Sequence, residues 1–327
     1  MRPTRRQFLA ATGIAWAAAT LRPASAAAPR DEGALTRTGQ AGFPIMSGAI
    51  GGTYLRAAAD LARTISRPQE LRLLPLVGAG SVQNITDLLY LQGIDVTFVQ
   101  VDALNAMRDE KLYPGLDRRI RFVTKLFNEE VHVLAGNTVS SLADLGGRRV
   151  NFDVGGSGTA VTATSIFSSL GIAVEATLYD QPTALAGLRA GDIAALVYVA
   201  GKPVDLFQQI PAGAGLRLLP VPRTAQLLAS YLPAQLDFSD YPNLIGRSAP
   251  LPTLAVGAAM VVYNWPPESE RHRRVSRFVA RFLERFDDLT RPPSHPKWQE
   301  VTLAATIPGW TRLAAAETWL AGAGRGR

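Results

Sequence analysis

From residue 43 onward the apolar positions follow two alternating patterns. A largely apolar run of strand length occupies residues 43–49, and residues 71–77 and 96–100 also read as extended. Between them apolar residues recur at helical spacing. Leu55, Ala58, Ala59, Leu61, Ala62 and Ile65 share one face of a helix predicted over 53–66. Helices are also predicted over 82–92 and 102–108. Residues 120–127 and 131–135 read as two strands divided by the polar trio Asn128-Glu129-Glu130. The alternation then restarts. Strands are predicted at 149–152, 176–179, 194–199 and 216–221, and helices at 159–170, 182–190 and 204–210. A strand-like run at 254–263 is long enough to cross back to the first series. A helix over 269–286 and a last one over 311–320 complete the pattern. Strand–helix alternation predicts an α/β fold with parallel sheets, and two such series predict two domains. No repeat of 20 to 50 residues is present.

Three handovers from strand to helix are rich in glycine and hydroxyl residues: 47–54, 78–81 and 155–159. Glycine lets backbone N–H groups face a ligand, and a helix N-terminus adds partial positive charge. These turns therefore suit a small anion, with Gly52, Thr53 and Tyr54, Ser81, and Ser157, Gly158 and Thr159 as candidate contacts; tight strand-to-helix connections favour glycine as well. Gln100 and Asp102 close a strand, where open α/β sheets bind ligands; Asp102 equally suits a helix N-cap. Lys202 and Lys125, two of only four lysines, could neutralise a carboxylate or lie on the surface. Tyr54, Tyr198 and Trp310 could stack on a ligand or pack in the core.

Catalytic motifs fail in detail. Gly78-Ala79-Gly80-Ser81-Val82-Gln83 lacks the third glycine of a dinucleotide fingerprint, and Thr159 stands where a nucleophile elbow needs glycine. Gly201-Lys202-Pro203 has proline where a Walker A loop has Ser or Thr. His132, His272 and His295 are far apart and match no metal-ligand spacing; His132 reads as structural. The absence of cysteine excludes disulfides and thiolate sites. No enzyme, metal or cofactor is expected.

The N-terminus changes how the charge is read. Thr4-Arg5-Arg6-Gln7-Phe8-Leu9, an apolar stretch to Thr20 and Ala24-Ser25-Ala26 form a twin-arginine-type export signal, with cleavage expected near Ala26 and a flexible leader over 27–40. The formal charge of +7 falls to +3 once Arg2, Arg5, Arg6 and Arg22 leave with the signal. Nucleic-acid binding is not expected from that charge, because no basic run interleaves with aromatics. The arginines of 271–285 instead follow a solvated helix face opposite Phe278, Phe282 and Phe286. A periplasmic location is expected.

Together these residues resemble the TAXI family of solute-binding proteins of TRAP (tripartite ATP-independent periplasmic) transporters. Gly51-Gly52-Thr53-Tyr54 matches its G-G-T-Y segment, Gly80-Ser81-Val82-Gln83-Asn84 its G-S-x-x-N, and Val99-Gln100-Val101-Asp102 its V-Q-x-D strand end. Val131-His132-Val133, Gly156-Ser157-Gly158-Thr159 and Ala200-Gly201-Lys202-Pro203 match in the same order. Leu55, Ala160 and Lys202 depart from the family's usual residues, and little is recognisable beyond residue 222. The resemblance implies a type II periplasmic-binding-protein fold: two α/β lobes, with a ligand cleft between them. Lobe 1 would comprise 41–130 plus 261–327, and lobe 2 would comprise 131–260. It adds Asn84 to the candidate contacts. It implies a small organic anion, a carboxylate or amino acid, as ligand and the TRAP membrane permease subunits as partners. A receptor of the same fold serving an ATP-driven importer or a sensor kinase is the alternative.

Overall fold

The computed structural model describes residues 42–67 and 70–323; the export signal and leader expected over 1–40 lie outside them. The first series of elements is β1 (Phe43–Met46), α1 (Thr53–Ile65), β2 (Leu73–Leu76), α2 (Ser81–Tyr90), β3 (Val96–Gln100), α3 (Val101–Asp109) and α4 (Leu116–Arg119). The long strand β4 (Ile120–Gly136) leads into the second: β5 (Arg149–Asn151), α5 (Gly158–Ser169), β6 (Glu175–Thr177), α6 (Gln181–Ala190), β7 (Ala195–Ala200), α7 (Asp205–Gln208), β8 (Leu216–Leu218), α8 (Ala225–Leu228) and β9 (Leu232–Leu236). The chain returns through β10 (Leu251–Tyr263) to α9 (Glu270–Glu284), α10 (Phe286–Leu289) and α11 (Ala314–Ala323). A 3-10 turn at Pro296–Glu300 precedes α11.

One curled sheet runs through the molecule in the order β2-β1-β3-β10-β4-β7-β5-β6. At each end the strands are parallel, β2-β1-β3 and β7-β5-β6. The inner strands β3 and β7 are buried along their whole length and read as largely apolar runs, while the edge strand β6 (Glu-Ala-Thr) is partly exposed. In the first lobe Ile45, Leu61, Phe98, Phe278 and Trp298 fill one face, while Ile85, Leu88, Val99 and Val261 fill the other. In the second, Val133, Val150, Ile166 and Val197 oppose Leu134, Leu188, Leu196 and Phe207 across the sheet.

The two middle strands, β10 and β4, run antiparallel and pass from one lobe to the other. Leu126 and Phe127 belong to the first lobe's core and Val131 to the second's; on β10 the change falls between Val256 and Ala258. The pairing shifts register there, between Gly257 and Ala259. The expected break at Asn128-Glu129-Glu130 does not occur, since β4 is one strand of 17 residues. Its polar trio is satisfied in place. Lys125 Nζ donates to Asn128 Oδ1 at 2.9 Å, Glu129 and Glu130 have partners described below, and backbone pairing with β10 continues throughout.

In α9, Ser269 caps the helix by accepting from the His272 amide, Phe278 and Phe282 are buried, and Arg273 and Arg277 are exposed as the arginine spacing predicts, whereas Arg271 is turned inward with its guanidinium 2.8 Å from the buried Asp95 carboxylate. The helix ends earlier than expected, at Glu284, and Phe286 begins the separate α10. Among the described residues no helix is long and apolar enough to cross a membrane.

Candidate functional site

The three glycine-rich corners come together where the lobes meet. At the start of α2, Gly80 adopts φ 112° and ψ −166°, open only to glycine. The Val82 and Gln83 amides that follow both donate to the Gly156 carbonyl of the second lobe, at 2.9 and 3.1 Å. A carbonyl oxygen thus occupies the partly positive end of α2. At the start of α5, Ser157 Oγ accepts from the Ala160 amide at 3.1 Å, capping that helix. Gly158 lies so close to the first lobe that a Cβ there would collide with the Gln100 side chain and stand 2.6 Å from Ser81 Oγ. At the start of α1, Gly52 is the N-cap residue and Thr53 Oγ1 accepts from the Gly201 amide of the second lobe at 3.0 Å. Asp102 completes the contact, with Oδ2 accepting from the Thr162 hydroxyl at 2.6 Å.

Gly52, Thr53, Tyr54, Ser81, Gln100, Asp102, Ser157 and Gly158 therefore gather at the junction between lobes. The other candidates stand behind it. Asn84 ties strands to α2, its Nδ2 donating to the Ser47 and Phe98 carbonyls at 2.7 and 2.9 Å. Thr159 Oγ1 accepts from the Val199 amide at 3.1 Å, fixing α5 to β7. Lys202 Nζ is 2.9 Å from both Asp237 and Asp240, so two carboxylates of its own lobe already match its charge. Those acids follow residue 222, where the sequence was uninformative.

Sequence reasoning missed the carboxylate at the centre. Glu129, 3 % exposed, accepts at Oε2 from the Tyr54 hydroxyl at 2.7 Å and from Gln100 Nε2 at 3.2 Å. Burial pushes its carboxyl up to about 8, against the opposing effect of those two hydrogen bonds. Its neighbour Glu130 accepts from Lys297 Nζ at 2.6 Å and from the Lys202 amide at 2.9 Å. Lys297, the fully buried lysine, comes from the 3-10 turn and also meets Glu300 at 2.7 Å. Asp153, with φ 67°, is likewise buried and is pushed up to about 6 by desolvation. The same cause raises Asp102. The Tyr198 hydroxyl stands beside Gly52, where a Cβ would be 3.3 Å from it. The only signal for Glu129 was a charged pair interrupting an apolar strand, which period alone reads as a loop.

At the rim, Arg56 of α1 pairs with Asp205 of α7 at 3.2 Å. Between them lies a cavity of about 10 Å³ lined by Gly51, Gly52, Thr53, Pro203, Val204 and His295 among others. That is room for about one water, whereas ligand pockets run to roughly 300–1,000 Å³. Any larger guest at this position requires the lobes to part. His132 is structural, as its sequence context suggests. It is fully buried; Nε2 lies 2.7 Å from the Tyr241 hydroxyl and Nδ1 3.2 Å from the Tyr198 carbonyl, and burial lowers its pKa to about 3. Among the described residues no group of three or more His, Asp or Glu could hold a metal ion.

Comparison with solved structures agrees with this architecture. The periplasmic binding protein BugD superposes with a TM-score of 0.51 at 13 % identity, over 86 % of this chain and 92 % of BugD. A second structure, described as a periplasmic transporter, gives 0.51 at 14 % identity over the same shares. The fold is that of type II periplasmic binding proteins, with two α/β lobes about a cleft. The sequence profile of the NMT1-like family matches residues 45–304, and the chain belongs to that family.

Proposed function

We propose that this chain is an extracytoplasmic receptor that captures a small carboxylate-bearing solute by lobe closure and delivers it to a TRAP permease. One observation carries the reading. Amide-rich corners of opposite lobes, at α2 and α5, meet directly across two crossing strands. The Val82 and Gln83 amides already hold an oxygen, that of Gly156, at the positive end of a helix. A solute carboxylate offers the same contacts when the lobes part. Closure then proceeds about β4 and β10, the lobes pivoting where the cores change, between Phe127 and Val131 on β4 and between Val256 and Ala258 on β10. BugD, a periplasmic binding protein of the same fold, supports the receptor class. The colinear segments from Gly51 to Pro203 support the TAXI type and hence the TRAP partner.

Mass spectrometry of solute copurifying with the natively exported protein tests the assignment, backed by a thermal-shift screen of organic acids. Thr53→Ala and Ser157→Ala each remove a hydroxyl at the junction. Each is expected to weaken binding by about tenfold, the size of one lost hydrogen bond, and Ser157→Ala to cost about 1 kcal/mol of stability as well, because it uncaps α5. Unchanged affinity in both variants would remove these residues from the site.

A further inference from the structure

Glu129 lies on β4 where the strand passes between the lobes. Both of its donors, the Tyr54 hydroxyl and Gln100 Nε2, fall on Oε2. The groups around it come from every element packed there. Tyr54 belongs to α1, Gln100 to the end of β3, Tyr198 to β7, Glu130 to β4 itself and Lys297 to the 3-10 turn; behind them Asp102 acts on Tyr54, and Asp153 and Asp205 act on Tyr198. Asp102, Asp153 and Glu130 add negative charge when ionised. The two phenols stay protonated, since burial raises both. The Lys297 ammonium is held between Glu130 and Glu300, Lys125 Nζ lies on Asn128 Oδ1, and Lys202 Nζ lies between Asp237 and Asp240. An ionised Glu129 has hydrogen bonds but no cation of its own, and an incoming carboxylate would add a second unmatched charge. Two carboxylates sharing a buried site cannot both ionise cheaply.

We infer that Glu129 links solute capture to a proton: the closed cleft holds an anionic solute only with the Glu129 carboxyl neutral, its free oxygen carrying the hydrogen toward the solute. This rests on the carboxylate reading above. The proton comes from solvent, one per solute bound, whenever Glu129 is ionised in the open form. Burial of the carboxyl, which lifts it to about 8, acts in the same direction. Rising pH therefore weakens binding.

Two measurements test this. In protein labelled with ¹³C at the glutamate carboxyls and saturated with an acid that binds, the resonance missing from Glu129→Gln is expected to titrate above neutrality; titration in the ordinary carboxylate range near 4 in the saturated protein would overturn the linkage. Calorimetry with succinate, 2-oxoglutarate, L-glutamate and benzoate at pH 6 and pH 9 supplies the second. For an acid that binds, affinity is expected to fall about tenfold between those values, following a group titrating near 8. Proton uptake should show as a dependence on the buffer's ionisation heat. Glu129→Gln, which keeps the acceptor for Tyr54 and Gln100 and adds a permanent donor, is expected to lose that pH dependence. Equal affinity at both pH values, or tighter binding at pH 9 as an ammonium paired with ionised Glu129 would give, would overturn the linkage alone. Binding of none of the four acids at pH 6 would instead remove the carboxylate reading and the linkage with it.

Discussion

At the scale of single residues, two buried groups pull stability in opposite directions with pH. His132 is held neutral between Tyr241 and the Tyr198 carbonyl, with its pKa lowered from 6.5 to about 3. The unfolded chain takes up that proton first, so this contribution is intact above about 6.5 and is lost as pH falls toward 3. Glu129 behaves in reverse. Its folded pKa lies above its unfolded value, so its contribution is full below about 4.5 and is lost as pH rises through 8. His132→Leu is expected to cost about 1–3 kcal/mol at pH 7, because the Tyr241 hydroxyl loses a buried partner, and to flatten the acid limb of the stability profile. Urea denaturation at pH 7 and pH 4 measures both effects. A variant as stable as the parent at pH 7 would mean that the His132–Tyr241 contact does not hold the second lobe. The role of His132 was legible from its place in an apolar strand. That of Glu129 was not, because its partners are 75 and 29 residues away in sequence and only folding brings them together.

At the scale of elements, the helix starts matter more than the helices. The sequence located α1, α2 and α5 from periodicity and from the glycines before them. It could not say that the start of α5 would press against the start of α2. Gly158 is where this is felt. Its first contacts across the gap are the side chains of Gln100 and Ser81 rather than backbone, so Gly158→Ala should be absorbed within each lobe and resisted only at their contact. Overpacking of this kind costs about 1–3 kcal/mol. The closed form is expected to lose that amount, which would appear as solute affinity reduced about tenfold or more with the melting temperature little changed. A variant with parental affinity would show that this contact is not made on closure. β4 teaches the converse lesson. Asn128-Glu129-Glu130 reads as an interruption because strand period is judged against a single apolar face. At a passage between two lobes polar side chains find partners on both sides, and the strand continues.

At the scale of the whole molecule, α1 and α7 meet at the rim, where Arg56 pairs with Asp205. Both side chains are about half exposed, so the pair contributes little to stability. It serves better as a gauge. Labels placed at these two positions should report a longer and broader distance distribution in solute-free protein than in protein saturated with its solute. Electron–electron resonance measures this directly, and a single narrow distance independent of solute would argue against hinge closure. The cavity of about 10 Å³ at this rim has room for about one water, so a larger guest there requires such motion.

Local order in the chain was enough to specify the α/β class, the two series of elements, the glycine turns and the arginine-bearing outer face of α9. Each depends on neighbours within a few positions, through period, turn chemistry or capping. Tertiary structure alone decided which turns meet, that Lys202 is matched by Asp237 and Asp240 while Lys297 is buried on Glu130, and that Glu129 lies at the junction of the lobes. Those outcomes depend on burial and on pairs far apart in the chain. Desolvation and charge pairing have no counterpart in sequence spacing, and they exist only once the two lobes face each other.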